Sequence, residues 1–169
     1  MTTDESRILL AAHIAMCFQD EKRKKAIGAI VVKDNRLISC GHRFTEHDVD
    51  GYSDKTTHAE DMAIKAAGKA AFGATLYVTL EPCTFRATHP TWHPMPPCCE
   101  VIVAAGIARV VIGSVDSDIG HGGLDYLRAH GVEVVQLTGL EEQLAGLVDG
   151  GTPEGFSDHY GALRKARGL

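Results

Sequence analysis

At 169 residues, with 44% hydrophobic residues and a formal net charge of -5, the chain is long enough for one well-filled core and short for two domains. The mildly acidic balance argues against a polyanionic partner, because nucleic-acid backbones are bound by lysine and arginine neutralising phosphates. Five cysteines, odd in number and without the regular spacing of a secreted disulfide framework, point to a reducing cytoplasm.

The apolar run from Ile8 to Phe18 is too short to span a bilayer, and it follows Asp4 and Glu5 where a signal peptide would carry positive charge. Neither a targeting segment nor a membrane span is expected. Ser6 to Gln19 reads as a helix that is apolar on most of its circumference. It is therefore expected to be buried on more than one side, against a sheet and at a subunit contact in a homodimer or larger homo-oligomer. Cys17 on this helix reads as a small buried hydrophobe. The charged run Glu21 to Lys25 reads as a solvated turn. Ala26 to Lys33 and Arg36 to His42 are β-rich runs separated by Asp34-Asn35, a two-residue signal for an antiparallel hairpin. Cys40, in the second run, is expected in the core. Arg43 to Thr56 carries Arg43, Glu46, His47, Asp48, Asp50 and Tyr52, more polar side chains than a connector needs, and is expected to wall a pocket.

Thr57 is a plausible N-cap for an amphipathic helix ending near Gly68 or Gly73, which puts His58 and Glu60 on its first turn. The exposed amides and positive dipole end there favour an anionic site. Thr75 to Leu80 reads as a strand delivering Pro82-Cys83 at its carboxyl end, the edge of an α/β sheet where sites lie. Cys98 opens the next helix. Ala108 to Ser114, Gly122 to His130 and Val132 to Leu137 then read as strand, helix and strand with parallel pairing. Leu140 to Val148 is a last amphipathic helix. Residues 1–150 are expected to form a single domain and 151–169 a C-terminal tail.

Three segments carry the chemistry: His58-Ala59-Glu60, Pro82-Cys83 and Pro97-Cys98 together fit the signature of the zinc-dependent nucleobase deaminases. A catalytic zinc takes three protein ligands and leaves its fourth position to water. His58, Cys83 and Cys98 would supply the three, with Cys99 as the alternative to Cys98. The Pro-Pro-Cys context and the turn-to-helix position favour Cys98 and put Cys99 behind the metal. Two thiolates and an imidazole leave the ion enough Lewis acidity to acidify water, so the expected reaction is attack of zinc hydroxide on an amine-bearing carbon with release of ammonia. Glu60 follows His58 by two, so on a helix it points to another side and is expected to shuttle protons rather than bind metal. Ala59 between them is a candidate substrate contact. Fourteen residues separate Cys83 from Cys98, and both ends of that loop would be pinned to the metal. Arg86, His89, Trp92 and His93 are therefore candidates for the pocket wall, Trp92 by stacking and the others by meeting a carbonyl, phosphate or carboxylate. The alternative is that Trp92 packs on a neighbouring subunit and the histidines are solvated.

LYVTLEPC from Leu76 to Cys83 and PPCCEVIVAAGIARVVIG from Pro96 to Gly113 resemble the riboflavin-pathway pyrimidine deaminases. Asp116-Ser117-Asp118 through Gly131-Val132-Glu133-Val134 continues the likeness, which covers roughly residues 26–137. Cys83-Thr84-Phe85-Arg86 with His89-Pro90 also resembles a bacterial branch of cytidine and deoxycytidylate deaminase-like proteins. The resemblance implies a cytidine-deaminase-like three-layer α/β/α sandwich around a mixed five-stranded sheet, with Zn2+ as cofactor. It also implies site residues. Lys24 stands four residues before Gly28, where the riboflavin-pathway enzymes generally have an asparagine that contacts substrate, and Arg43 falls about where other deaminases often place an asparagine. Those enzymes usually carry Gly-Lys/Arg-Thr before Pro-Pro-Cys, whose base contacts substrate phosphate; here Trp92-His93-Pro94-Met95 stands instead.

The expected function is a zinc aminohydrolase for a pyrimidine or related nitrogen heterocycle, as a small-molecule base, nucleoside or nucleotide. A riboflavin-pathway pyrimidine is the alternative within this class. A transfer-RNA or other nucleic-acid editing deaminase shares the zinc motif, and the acidic charge argues against it. A zinc-stabilised protein without turnover would close its site with four ligands and leave Glu60 without a purpose.

Overall fold

The computed structural model describes residues 1–18, 26–47, 54–85, 96–115, 122–140 and 143–144. Helix α1 spans Thr3–Cys17 and leads into the hairpin of β1 (Gly28–Lys33) and β2 (Arg36–His42). A second hairpin follows, β3 (Phe44–His47) with β4 (Asp54–Thr57), and then α2 (Ala59–Ala67) with a short 3-10 turn. The chain continues through β5 (Thr75–Val78), α3 (Cys98–Ala104), β6 (Arg109–Ile112), α4 (Gly123–Ala129) and β7 (Glu133–Gln136). The main sheet has the order β2-β1-β5-β6-β7. β1 is antiparallel to both its neighbours and β5, β6 and β7 run parallel, so the sheet is mixed. Among the described residues no helix is long and apolar enough to cross a membrane.

Strand side chains alternate between faces, and here both faces are buried. Ala29, Val31, Leu76, Val78, Val110 and Ile112 share one core cluster with Ala59 and Ala63 of α2, Ile102 of α3 and Leu127 of α4. The intervening Ile30, Val32, Tyr77 and Val111 share the other with Ile8, Ala11, Ala12 and Ala15 of α1. These are the three layers the sequence implies. The first hairpin also forms as its turn signal predicts, with Asp34 and Asn35 both at positive φ (49° and 61°), as a two-residue turn between twisted strands requires.

Other expectations are corrected. α1 begins at Thr3, not Ser6, because Thr2 and Glu5 form a reciprocal capping box: the Glu5 amide donates to Thr2 Oγ1 at 3.2 Å and the Thr2 amide to Glu5 Oε2 at 2.7 Å. Its fully buried positions, Ile8, Ala11, Ala12 and Ala15, make one stripe, while Leu10 and Cys17 are exposed. Cys40 is exposed as well, since β2 is an edge strand and only its Gly41 face is covered by α2. The polar stretch after Arg43 forms the β3-β4 hairpin, with residues 48–53 outside the described set. Most of the predicted helix Leu140 to Val148 also lies outside it, although buried Leu140 and Leu144 close the α1 side of the core.

Two glycines set the layer spacing. A Cβ on Gly28 would lie 1.9 Å from the Ala11 carbonyl oxygen, and one on Gly41 would lie 2.2 Å from the Ala59 oxygen and 2.6 Å from the Ala63 nitrogen. Both obstacles are helix backbone, which cannot swing aside. Gly41→Ala must therefore lift the first turn of α2 from β2, and overpacking of this kind costs about 1–3 kcal/mol. A thermal melt is expected to show that loss; an unchanged midpoint would mean that α2 does not rest on β2 as described.

At the opposite end of the parallel strands, the Asp4 carboxylate accepts from Arg109 at 2.7 Å and from the Tyr77 hydroxyl at 2.8 Å, and Arg109 also donates to Glu133 at 2.9 Å. The Arg109 hydrogen bond is the main reason that the Asp4 pKa falls below 3.8, against the opposing effect of partial burial. A depressed carboxyl pKa stabilises the fold above the unfolded value and ceases to do so as pH falls through the folded one. Asp4→Asn should thus cost at most about 1 kcal/mol near neutrality. The gap from the parent should narrow in denaturant melts as pH is lowered below 3.8; a gap that does not narrow would assign the effect to packing.

Candidate active site

The parallel strands end at one edge of the sheet, and the chain's reactive side chains collect there. β4 stops at Thr57, paired with Phe44, so Thr57 is not the N-cap of α2. His58 is, with extended backbone (φ -81°, ψ 153°) and no side-chain cap bond. This corrects the sequence reading and explains the geometry: His58 is not on the helical turn, so its ring and the Glu60 carboxyl can converge. β5 runs on through Thr79 into Pro82-Cys83, and Pro97 caps α3, placing Cys98 at the first helical position.

His58 Nδ1 lies 3.6 Å from Cys83 Sγ and 3.3 Å from Cys98 Sγ. The three donor atoms all fall within 4.8 Å of one another. Zinc with Zn–S of about 2.3 Å and Zn–N of about 2.0–2.1 Å in a tetrahedron holds N and S about 3.6 Å apart, so one imidazole and two thiols at this spacing fit the ion. The Cys98 amide donates to Cys83 Sγ at 3.4 Å. Hydrogen bonding from Cys98, with smaller help from His58, holds the Cys83 thiol far below the ordinary cysteine pKa, in the thiolate form that binds metals.

Cys99 points the other way. Its thiol donates to the carbonyls of Pro82 at 3.3 Å and Gly123 at 3.7 Å, and it is 1% exposed. Burial, reinforced by the negative charge around it, pushes its pKa up to about 12, so it stays a protonated donor. Of the two neighbouring cysteines, Cys98 is the one whose sulfur stands with His58 and Cys83.

Glu60 is 3% exposed. Burial raises its pKa above the usual carboxyl value; His58 opposes the shift, and a hydrogen bond with the Cys98 side chain puts Glu60 against the donor cluster. The Ala59 side chain is fully buried, so only its backbone is available to a ligand. Arg43 is half-buried, and its amide donates to the Ile27 carbonyl at 2.9 Å, which brings it to the same sheet edge. Lys24, Arg86, His89, Trp92 and His93 lie outside the described residues.

Residues 1–114 match the family model described as the cytidine and deoxycytidylate deaminase zinc-binding region. The chain belongs to the cytidine and deoxycytidylate deaminase family. Zinc is the cofactor of that family region, and the donor set here fits it. Among the chain's relatives, the riboflavin biosynthesis protein RibD of Aquifex aeolicus is 41% identical over 111 residues, covering 64% of this chain and 27% of the relative. The diaminohydroxyphosphoribosylamino-pyrimidine deaminase of Buchnera aphidicola is 38% identical over 109 residues, or 63% of this chain and 64% of that protein. The chain thus spans about a quarter of the first relative's length and just under two thirds of the second's. The Thermotoga maritima crystal structure of a diaminohydroxyphosphoribosylaminopyrimidine deaminase and 5-amino-6-(5-phosphoribosylamino)uracil reductase superposes with a TM-score of 0.69 at 35% identity, over 86% of this chain and 39% of that one. The Rib2 deaminase of Aspergillus oryzae shares the fold over 98% of this chain and 99% of its own, with a TM-score of 0.67 at 19% identity.

Sequence reasoning passed over two residues that shape this site. Thr79 is fully buried; its amide donates to the Gly28 carbonyl at 3.0 Å and its hydroxyl accepts from the Gly28 amide at 3.2 Å, clamping the start of β1 to the end of β5. Glu81, 5% exposed, accepts from the Leu124 amide at 3.3 Å. The signal for Glu81 was available: a lone acid between an apolar strand and Pro82-Cys83 is out of place unless a buried partner awaits it.

Substituting each neighbouring cysteine separates their roles. Metal analysis of purified Cys98→Ala should find the zinc gone, whereas Cys99→Ala should retain one ion per chain; the reverse pattern would reassign the ligand.

Proposed function

We propose that this protein is a hydrolytic deaminase of a small-molecule pyrimidine or related heterocycle, replacing an exocyclic amine by a carbonyl oxygen and releasing ammonia. The observation that carries the reading is Glu60, a buried carboxyl set against the His58, Cys83 and Cys98 donors, which a merely structural metal site would not need. In this reading His58, Cys83 and Cys98 hold the zinc. When bound, the metal supplies a Lewis acid that lowers the pKa of water.

Glu60 does the proton work. Its burial favours the neutral acid, which can place a proton on a ring nitrogen, and it can take one from the attacking water and deliver one to the departing amine. Its position on the first turn of α2, with its neighbour Ala59 packed into the core, keeps the carboxyl in one place through these transfers. The substrate class follows from the relatives. Two of them, at 38% and 35% identity, are named for a diaminohydroxyphosphoribosylamino-pyrimidine and the one at 41% for riboflavin biosynthesis, which makes that pyrimidine the first candidate. The net charge of -5 disfavours a nucleic-acid substrate. Reduced thiols suit a cytoplasmic setting, and exposed Leu10 and Phe18 leave apolar surface near the end of α1 for self-association into a homo-oligomer.

The test is ammonia release by the zinc-loaded protein from the diaminopyrimidine, cytosine, cytidine and deoxycytidylate. Turnover of at least one is expected. Glu60→Gln, which keeps the shape and cannot carry protons, should retain zinc and fold while kcat drops by about 10²–10⁴-fold. A wild-type rate in that variant would remove Glu60 from the mechanism.

A further inference from the structure

The turn carrying Cys83 is held by more than the metal. The Glu81 amide donates to the Ser114 carbonyl at 2.9 Å, tying the turn to the end of β6. The Glu81 carboxylate reaches the other way, accepting from the Leu124 amide in the first turn of α4, whose N-cap Gly122 offers no side-chain cap of its own. From α3, the Cys99 amide donates to the Cys83 carbonyl at 3.2 Å and the Cys99 thiol to the Pro82 carbonyl at 3.3 Å. The contact is so close that Gly123 has no room for a side chain: a Cβ there would stand 2.2 Å from the Pro82 oxygen, 3.2 Å from Glu81 Cγ and 3.3 Å from Cys99 Sγ.

Glu81 and Cys99 thus bracket the two thiols without joining them. We infer that Glu81 is a positioning residue for the zinc site: by accepting from the Leu124 amide it locks Pro82-Cys83 against α4 and so presets Cys83 Sγ relative to His58 and Cys98. The inference rests on His58, Cys83 and Cys98 as the ligands. Its physical basis is that a buried carboxylate needs a donor and the first amides of a helix need an acceptor. Satisfying both at once gives the turn one position.

Residues that orient metal ligands are worth roughly 10- to 100-fold in affinity. Zinc affinity is measured by competition with a chromogenic chelator, which reads the site without any turnover. Glu81→Met, of similar length and without an acceptor, should bind zinc roughly 10- to 100-fold more weakly than the parent. Glu81→Ala is carried alongside, because either substitution removes the acceptor and one folded variant suffices. Glu81→Gln keeps an oxygen for the Leu124 amide and should stay within about threefold of the parent. Ile8→Ala, which damages the core on the α1 face, controls for general loss of stability and should also stay within about threefold. Parental affinity in the Met and Ala variants would overturn the inference. So would a Gln variant as weak as Met, or an Ile8→Ala variant weakened to the same degree. Cys83→Ala separates this from the ligand assignment: zinc retained there sinks the assignment itself, whereas zinc lost there with Glu81→Met at parental affinity sinks only the role of Glu81.

Discussion

The structure depends on bringing one imidazole nitrogen and two sulfurs within 4.8 Å of one another from three distant stretches of chain. No regular element can do this alone, because helices and strands commit their backbones to their own ladders and space their side chains on fixed periods. Each donor therefore comes from a junction. His58 is a helix N-cap in extended conformation, Cys83 lies past the end of β5, and Cys98 is the first residue of α3. The sheet serves to hold these junctions in register. β5 stands between β1 and β6, and the short spacers Gly28 and Gly41 let α1 and α2 sit directly on it and its neighbours.

The electrostatics follow from the same convergence. A Cys83 side chain that favours thiolate, a second thiol at Cys98 and the buried carboxyls of Glu60 and Glu81 crowd acidic groups into a small volume of low polarity. Helix amides offset part of this, as at Cys98 toward Cys83 and at Leu124 toward Glu81. A divalent cation offsets the rest, which couples metal binding to the stability of this edge of the fold. Burial, with the charge of Cys83 adding to it, turns Glu60 and Cys99 toward their neutral forms. For Glu60 that favours the neutral acid beside the donor cluster; for Cys99 it favours a thiol that donates to two carbonyls.

Much of this was legible in the sequence because the ligand residues sit in short local motifs. The Asp34-Asn35 turn, the buried run of β1 and the Pro-Cys pairs each report their structure within a few residues. The misses share a cause. Thr57 looks like an N-cap by type, but its pairing with Phe44 across β3 and β4 is a contact between segments that no local pattern shows. Cys17 and Cys40 look like core by composition, yet whether α1 or β2 has anything packed over those positions depends on which strand ends the sheet. Glu81 was overlooked for a similar reason: its partner is an amide forty-three residues away.

The division of labour in the fold follows from where order is enforced. The candidate donors stand on junctions braced from several sides, as Cys83 is by α3, β6 and α4 through its neighbours Pro82 and Glu81. The starts and ends of the neighbouring strands are held in the same way. Ile27 and Gly28 illustrate how: Ile27 accepts from the Arg43 amide, and Gly28 is clamped through both its amide and its carbonyl by Thr79. The entry to β1 and the exit from β2 are thereby fixed at the same edge as the metal donors. The hydrogen bonds that hold the donor cluster thus run through β1, β5 and the helix starts.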